Sequence, residues 1–158
     1  MPKLRRVAIT GMGIVSPLGN NIKEVVNSLY NGRSGVVFCE DYAERGFRSH
    51  LHGAPNIDLD NYIDRKLRRF MGNGSAYNYV AMKEAIETSG LVESEISDER
   101  TGLVMGSGGP STSALVTAAD TARNSSAKRV GPYAVPKSMC STNSANISTA
   151  FHMRGLSY

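Results

Sequence analysis

The sequence predicts a layered α/β fold, on the basis of three observations. Residues 4–10 place Val7, Ala8 and Ile9 in succession, which is typical of a strand buried on both faces. A second short apolar run occupies residues 101–105, and the segments between and after the two runs have helical spacing. The order strand, helices, strand, helix indicates a mixed layer structure in which helices pack on a sheet.

A glycine turn at residues 11–13 ends the first strand, and a helix follows it. Asn21 can cap this helix, with Glu24 three residues later in a capping-box arrangement. The pair Asn31-Gly32 is typical of a helix end. The side chains expected on the inner face are Val25, Val26 and Leu29.

Weak periodicity over residues 33–63 predicts an extended loop with short elements, and a connection of that length usually has a functional role. Residues 64–71 predict a short basic helix. Residues 75–88 predict a longer helix that ends before Gly90. The apolar stripe of the longer helix is expected to comprise Tyr79, Met82 and Ile86.

Two more helices are expected after the second strand, over residues 113–122 and 138–153. The second has one large apolar side and one side of small residues, which suits close packing. Its large apolar side is expected to comprise Met139, Ile147 and Phe151. Gly155 then breaks the helix, and residues 156–158 begin a strand that no turn or cap ends. We therefore expect the chain to be part of a longer protein.

The composition fits a folded protein, with 158 residues, 41% of them hydrophobic, and a net charge of +4. The positive charge favours an acidic partner, and the totals do not distinguish a nucleic acid, an anionic membrane and an acidic protein. Cys39 and Cys140 are too few for a disulfide scaffold, so reduced thiols in the cytoplasm are the simplest interpretation. Glycines and polar residues interrupt every long apolar run, so neither a signal peptide nor a membrane-spanning helix is expected.

Two glycine patterns resemble nucleotide sites, and neither completes one. Gly11-x-Gly13 follows a predicted strand, but Ser16 replaces the third glycine of a dinucleotide fingerprint and Pro17 interrupts the expected helix. A tight structural turn is the better interpretation. Residues 106–109 could cradle a phosphate, but the lysine of a P-loop does not follow them, and a flexible loop after a strand remains open.

A run of four cations, Arg65, Lys66, Arg68 and Arg69, lies on two turns of the predicted basic helix. Such a run is most often a solvated surface, and single exposed ion pairs contribute only about 0 to 1 kcal/mol. The cations would therefore steer and orient a weakly bound acidic partner. Nucleic acid is the less favoured partner, because the patch is compact and lacks interleaved stacking aromatics.

Histidines and cysteines offer two further alternatives. His50 and His52 share one face of an extended segment, but only Cys39 is near them, so no metal site is predicted. Cys140 stands near the start of a predicted helix, where the dipole can activate a thiol, and it remains the less favoured candidate for a nucleophile. His152 fits a structural histidine, and no cofactor is expected.

Taken in order, several segments resemble those of bacterial β-ketoacyl-acyl carrier protein synthases. They are VAITGMGIVSPLGN, RKLRRFM, GSGG, GPYAVPKSM and FHMRGLSY. Gly109, where a branched residue could stand after GSG, is more similar to synthase I than to synthase II. The resemblance implies the thiolase-like layered αβαβα fold, with residues 1–158 as the N-terminal part of a synthase, its first thiolase-like half, incomplete at the C-terminus. It also implies a homodimer.

The same resemblance implies two groups of site residues. The wall of an acyl pocket would comprise Gly106, Ser107, Gly108, Gly109 and Met139, the last also shaping the pocket of the neighbouring protomer. The acidic acyl carrier protein would dock on Arg65, Lys66, Arg69, Arg123, Lys128 and Arg129. The nucleophilic cysteine would follow shortly after Tyr158, so no catalytic residue is expected within this chain.

The implied activity is a step of fatty acid biosynthesis, a decarboxylative Claisen condensation of an acyl-enzyme thioester with malonyl-acyl carrier protein to give 3-oxoacyl-acyl carrier protein. Residues 1–158 alone are expected to be inactive and to fold poorly, because they lack the nucleophile, the histidine pair and neighbouring strands. Two alternatives remain open. One is a basic α/β binding module without chemistry, and the other is an inactive truncated synthase fragment.

Overall fold

The computed structural model describes residues 5–158, which form two compact units. The first unit comprises the described residues up to Asn56 together with Ala81–Leu91, and the second comprises Ile57–Val80 and Val92–Tyr158. The 17-residue helix Asn73–Ser89, α4 below, contributes its first half to the second unit and its second half to the first. Each unit is described by itself.

The first unit contains two helices and a small two-stranded sheet besides its part of α4. Its elements are α1 (Ile22–Tyr30), β1 (Val36–Phe38), α2 (Glu40–Glu44) and β2 (Leu51–Gly53). The strands are antiparallel, with Val36 opposite Gly53 and Phe38 opposite Leu51. These short elements confirm the expectation for residues 33–63.

Helix α1 has the two ends that its sequence predicts. Asn21 Oδ1 accepts a hydrogen bond from the Glu24 N–H at 2.9 Å, and the Glu24 carboxylate accepts the Asn20 N–H at 2.7 Å. At the other end Gly32 has φ of 61°, and Arg33 N–H bonds the Ser28 carbonyl at 2.9 Å. The expected inner face is wrong in part: Val25 is buried, but Val26 and Leu29 are exposed.

The strand predicted over residues 4–10 is not formed in the described residues 5–10, and Leu4 lies outside them. Val7 is 94% exposed and Ile9 is 84% exposed. The physical reason is the lack of a neighbour: within residues 5–158 no backbone hydrogen bond reaches residues 5–10. A strand forms only where a second strand pairs with it.

The Gly11-x-Gly13 turn packs against the second half of α4. A Cβ atom on Gly13 would collide with the Ala81 carbonyl, and one on Gly11 would collide with the Ala85 carbonyl. The Glu84 carboxylate accepts the Ile14 N–H at 3.0 Å and so holds the turn on the helix. Both glycines therefore allow a close approach to a helix, which supports the interpretation of a structural turn.

The second unit is mainly helical. Its helices are α3 (Arg65–Arg68), the first half of α4, α5 (Glu93–Ile96), α6 (Thr112–Asn124), α7 (Ala134–Ser138) and α8 (Thr142–Ala150), with 3-10 turns at Leu59–Asn61 and Ala127–Arg129. The predictions of α3, α4 and α6 are confirmed, α3 being shorter than predicted. The expected stripe of α4 is only half-buried, and its fully buried side consists of Ser75, Ala76 and Val80.

A short parallel ladder joins residues 101–105 to residues 155–158. Leu103 N–H bonds the Leu156 carbonyl at 2.7 Å, Tyr158 N–H bonds the Leu103 carbonyl at 3.0 Å, and Met105 N–H bonds the Tyr158 carbonyl at 2.8 Å. Leu103 is buried at 4% exposure, whereas Val104 on the other face is 87% exposed. The second predicted strand and the strand start at Leu156 thus pair with each other, with one face covered.

The helix predicted over residues 138–153 forms only as α8, because Ser138 is the last residue of α7 and a break at residues 139–141 separates the two helices. Met139 has extended backbone, with ψ of 137°, and α8 begins only at Thr142. The Asn143 side chain bonds the Cys140 carbonyl at 3.1 Å, and Ser144 Oγ bonds the Ser141 carbonyl. Polar side chains that bind nearby carbonyls compete with a continuous helix, which explains the break.

Buried contacts between α4 and α8 form the centre of the second unit. Ile147 is fully buried, and the Asn146 amide beside it donates to Ser75 Oγ at 3.1 Å and to the Phe70 carbonyl at 3.3 Å. The rings of Tyr79 and Phe151 stack with centroids 5.4 Å apart. These contacts hold the first half of α4 against the middle and end of α8.

Candidate functional site

The glycine loop at residues 106–109 begins directly after the ladder. A Cβ atom placed on Gly106, Gly108 or Gly109 would meet nothing within 4 Å, and Ser107 Oγ bonds the Gly109 carbonyl at 2.8 Å. Because Met105 pairs with Tyr158, the end of the chain lies beside the residue that precedes the loop. Open space therefore adjoins the carboxyl edge of both paired strands.

A cavity of about 180 Å³ lies next to this loop. It brings together three of the five residues predicted to form an acyl pocket, Ser107, Gly109 and Met139, whereas Gly106 and Gly108 do not line it. The starts of α4, α6 and α8 supply the other walls, through residues 72–75, 111–113 and 142–143. Met139 lines the cavity while 51% exposed.

The chemistry of this cavity is electropositive and only partly apolar. Lys137 is in its lining, no Asp or Glu is, and three helix N-termini present their partial positive charges near it. Met139 and Pro110 supply its apolar surface, and the remaining lining is small or polar. Within the described residues, the cavity is therefore lined mainly by small or polar side chains and is not a closed hydrocarbon pocket.

A second space, a cleft of about 350 Å³, shares part of this wall. The residues common to the two spaces are Gly72, Asn73, Ser111, Ser113 and Lys137. Helix α6 and the segment that leads into α7 form the far side, where Tyr133 packs edge-on against Phe70 at 5.1 Å. The lining of the cleft contains Arg68 and Lys137 and no carboxylate.

The six cations predicted for carrier docking are all exposed, and all belong to the second unit. They are Arg65, Lys66 and Arg69 at α3, Arg123 at the end of α6, and Lys128 and Arg129 in the 3-10 turn that follows α6. Arg123 has an acidic neighbour, Asp120, at 3.6 Å. Asp64 caps α3 by accepting the Lys66 N–H at 2.8 Å, which orients the helix that carries the first group.

None of the five residues of the shared wall was predicted from the sequence as a site residue, and two of them, Gly72 and Lys137, are in close contact. A Cβ atom on Gly72 would lie 2.9 Å from the Lys137 carbonyl and 2.9 Å from both Cβ and Oγ of Ser111. The sequence contains a weak signal for each, since Gly72 directly follows the basic helix predicted over residues 64–71 and Lys137 lies within GPYAVPKSM. Neither signal reveals that the two residues meet.

The other candidate residues lie apart from the cavity lining. Cys140 is exposed, between α7 and α8 and outside either helix. His50 packs edge-on against Phe38, and His52 packs edge-on against Tyr42. His152 has left-handed backbone with φ of 52°, and its carbonyl accepts a hydrogen bond from Ser97 Oγ at 2.8 Å.

Two features are absent from residues 5–158. No group of three or more His, Cys, Asp or Glu side chains is placed to hold a metal ion. In the same part of the chain, no helix has the length and apolar character needed to cross a membrane.

Comparison with known proteins identifies a family and individual proteins that this chain resembles. The family model "Beta-ketoacyl synthase, N-terminal domain" matches residues 4–158. The 3-oxoacyl-acyl-carrier-protein synthase 1 of Haemophilus influenzae is 44% identical over 156 residues, which are 98% of this chain and 38% of the relative. The chain therefore spans less than two fifths of the length of this curated relative.

Solved structures show the same fold. A β-ketoacyl synthase from Burkholderia phymatum matches with a TM-score of 0.79 and 29% identity, covering 96% of this chain and 38% of that one. A ketosynthase solved in complex with a type II polyketide acyl-carrier protein matches with a TM-score of 0.71 and 18% identity, covering 92% and 38%. These likenesses confirm the expected class, the N-terminal part of the thiolase-like layered α/β fold, and the chain belongs to the β-ketoacyl synthase family through its N-terminal domain.

Proposed function

We propose that the protein containing this chain is a 3-oxoacyl-acyl carrier protein synthase of fatty acid biosynthesis. It joins an acyl-enzyme thioester to a malonyl thioester with loss of carbon dioxide and forms a 3-oxoacyl thioester on acyl carrier protein. The observation that carries the proposal is the match of residues 4–158 to the family model, supported by the 44% identity to a synthase 1. Residues 1–158 are the N-terminal part of that synthase, its first thiolase-like half.

The role proposed for the glycine loop and Met139 is to form one wall of the acyl pocket. The open space at Gly106, Gly108 and Gly109, together with the thioether of Met139, supports this role, because an acyl chain needs room and soft apolar contact. The cavity has little other apolar lining, so the remaining wall must come from residues outside this chain. In the proposed homodimer, the neighbouring protomer is one source of it.

The nucleophilic cysteine is proposed to follow Tyr158. The parallel ladder directs whatever follows Tyr158 toward the edge where the glycine loop begins, which supports this location. Residues 1–158 alone are expected to catalyse no condensation, since the acyl group has no nucleophile there. We also propose a cytoplasmic location, where carrier protein and malonyl thioesters would be available.

The partner proposed for the six exposed cations is the acidic acyl carrier protein. Exposed charges of one sign steer a partner and orient it without strong binding, which suits a carrier that must leave after each transfer. In the related solved complex, a ketosynthase binds the acyl-carrier protein of a polyketide pathway.

Charge reversal in the full-length protein tests this function. The double change Lys66→Glu with Arg69→Glu is expected to raise KM for acyl carrier protein substrates by roughly five- to tenfold, from the loss of exposed charge contacts. KM for acyl and malonyl pantetheine thioesters should be unchanged, because these substrates lack the acidic protein surface. Both KM values are measured from initial rates of 3-oxoacyl product formation.

The matched control is Lys23→Glu with Arg33→Glu, which changes net charge equally at exposed positions of the first unit. This control should leave both KM values unchanged. Equal effects of the two double variants would remove the docking assignment, and absence of condensation by the unmodified full-length protein would remove the proposed function.

A further inference from the structure

Arg68 differs from the other three cations of α3. It is half-buried, and its guanidinium donates through Nη1 to the Met71 carbonyl and through Nη2 to Asn73 Oδ1 at 2.8 Å. The other three side chains are exposed, and no carboxylate within residues 5–158 lies within ion-pair distance of them. Both terminal nitrogens of the Arg68 guanidinium thus donate to the turn that follows α3.

The turn at residues 71–73 is tightly packed. Met71 is fully buried, and Gly72 is so close to the Lys137 carbonyl and to Ser111 that a single added carbon would lie 2.9 Å from each. Ser111 N–H in turn bonds the Ser138 carbonyl at 3.2 Å. The turn, the start of α6 and the end of α7 therefore share one contact point, and a shift of the turn displaces the other two.

The same contact point is the wall shared by the cavity and the cleft. Gly72, Asn73, Ser111 and Lys137 line both spaces, while Ser107 and Met139 line the cavity only. Arg68 borders the cleft and does not reach the cavity. Any influence of Arg68 on the cavity must therefore pass through the turn at residues 71–73.

We propose that Arg68 is a positioning residue for the acyl cavity, which holds the Met71–Asn73 turn against Ser111 and Lys137 and so sets which acyl chain lengths fit. The inference rests on the proposed function and adds a residue role to it. It separates Arg68 from Arg69, although the two cations are adjacent in the chain. Arg69 belongs to the docking surface, whereas Arg68 holds the turn that lines the cavity.

Lysine distinguishes the two roles, because it keeps the positive charge of arginine and lacks its planar fork. If Arg68 acted through charge on a docking partner, Arg68→Lys would behave like the unmodified protein. If Arg68 acts by holding two acceptors two residues apart, a single ammonium cannot replace it. Arg68→Met removes both properties, and Arg69→Lys with Arg69→Met forms the matched pair.

The test uses the full-length protein and two measurements. The first is kcat/KM with acyl pantetheine thioesters of short, medium and long chains, which bypass the docking surface. Arg68→Lys and Arg68→Met are expected to change the long-to-short ratio by roughly fivefold or more, the effect of losing a charged hydrogen bond. Both Arg69 variants should leave that ratio unchanged, and only Arg69→Met should raise KM for carrier-bound substrates, because Arg69→Lys keeps the docking charge.

The second measurement is hydrogen exchange of the backbone amides of residues 70–76 and 111–113, which needs no activity. Arg68→Lys should speed exchange there, and Arg69→Lys should not, because only Arg68 holds the turn. Arg68→Lys carries the test should Arg68→Met fail to fold. An Arg68→Lys protein with unchanged exchange, or with faster exchange and an unchanged chain-length ratio, overturns the proposal.

Failure of the proposed function gives a different result from failure of this inference. A full-length protein without condensing activity would give no ratio for any variant, including the unmodified one. Hydrogen exchange would then decide alone whether Arg68 holds the turn, and unchanged exchange would overturn that role as well.

Discussion

Gly72 illustrates how a single missing side chain can fix the position of a wall. Three segments meet at this residue, and a Cβ atom added to it would lie 2.9 Å from both the Lys137 carbonyl oxygen and the Ser111 side chain. Gly74, two residues later, has nothing within 4 Å of an added Cβ atom. The two glycines thus differ in environment although they share a chain region.

We expect Gly72→Ala to destabilise the protein by about 1–3 kcal/mol, the usual effect of overpacking. Gly74→Ala, the matched control, should be neutral or stabilising by up to about 1 kcal/mol, since alanine has less backbone freedom to lose in a helix. Thermal unfolding of the two full-length variants measures the difference. Equal melting temperatures would show that the neighbours of Gly72 accommodate the added methyl group without loss of stability.

Residue types could be predicted from the sequence more readily than their partners. The doubt about Gly11-x-Gly13 as a nucleotide site was justified from Ser16 and Pro17, and the structure gives these glycines a packing role on α4. The role of Arg68 could not be predicted, because four successive cations look alike until one of them is seen to bind Met71 and Asn73. Such partners depend on how the chain turns back, which local sequence does not specify.

Helix ends are the elements that local chemistry determines best. Asn21 begins α1 by accepting the Glu24 N–H, and Gly32 ends it with the left-handed backbone that glycine adopts easily. Both signals depend on residues within one turn, so both were predicted correctly. The same holds for Gly90, which has φ of 75° just after α4.

Asn21→Ala is expected to destabilise the protein by about 1 kcal/mol, because the Glu24 N–H loses its side-chain acceptor. The control is Lys23→Ala in the first turn of the same helix, where an exposed side chain is removed without loss of a cap. Chemical denaturation of both full-length variants, with comparison of midpoints, provides the measurement. A loss of stability in Lys23→Ala as large as in Asn21→Ala would contradict the capping role.

Two elements were predicted wrongly for reasons beyond local sequence. Residues 5–10 have the composition of a strand but no paired neighbour among residues 5–158, so they form no strand and are exposed. The helix predicted over residues 138–153 begins only at Thr142, after a break at which Asn143 and Ser144 bond the carbonyls of Cys140 and Ser141. Apolar periodicity continues through that break, and periodicity was the only signal used.

At the scale of the whole molecule, the net charge of +4 and the exposed cations of the second unit should act together at long range. We expect the rate with carrier-bound substrates to fall as salt rises, since screening shortens the reach of charge to about 10 Å at 0.1 M ionic strength. The rate with pantetheine thioesters should be nearly constant over the same salt series. A parallel decline for both substrates would assign the effect to the enzyme's stability instead of to docking.

The glycine loop and Met139 were singled out because they belong to recognisable segments, and their role as an acyl pocket stays a prediction. The cavity brings Ser107 and Gly109 together with Met139, which lies 30 residues after Gly109 in the chain. Its walls at Gly72 and Lys137 could not be foreseen, since they arise from contacts between α4, α6 and α7. Long-range packing, rather than any one motif, determines the shape of the site.

The parallel ladder also has a consequence for how the protein is made. Leu103 and Ser157 are roughly 50 residues apart in the chain, a separation that slows pairing. At a synthesis rate of about 5–20 residues per second, residues 101–105 wait several seconds for their partner to emerge from the ribosome. Helices α6 and α7 can form locally during that wait, but the edge of residues 101–105 cannot close. During these seconds the backbone of residues 101–105 is unpaired in the nascent chain and is available for a chaperone to bind.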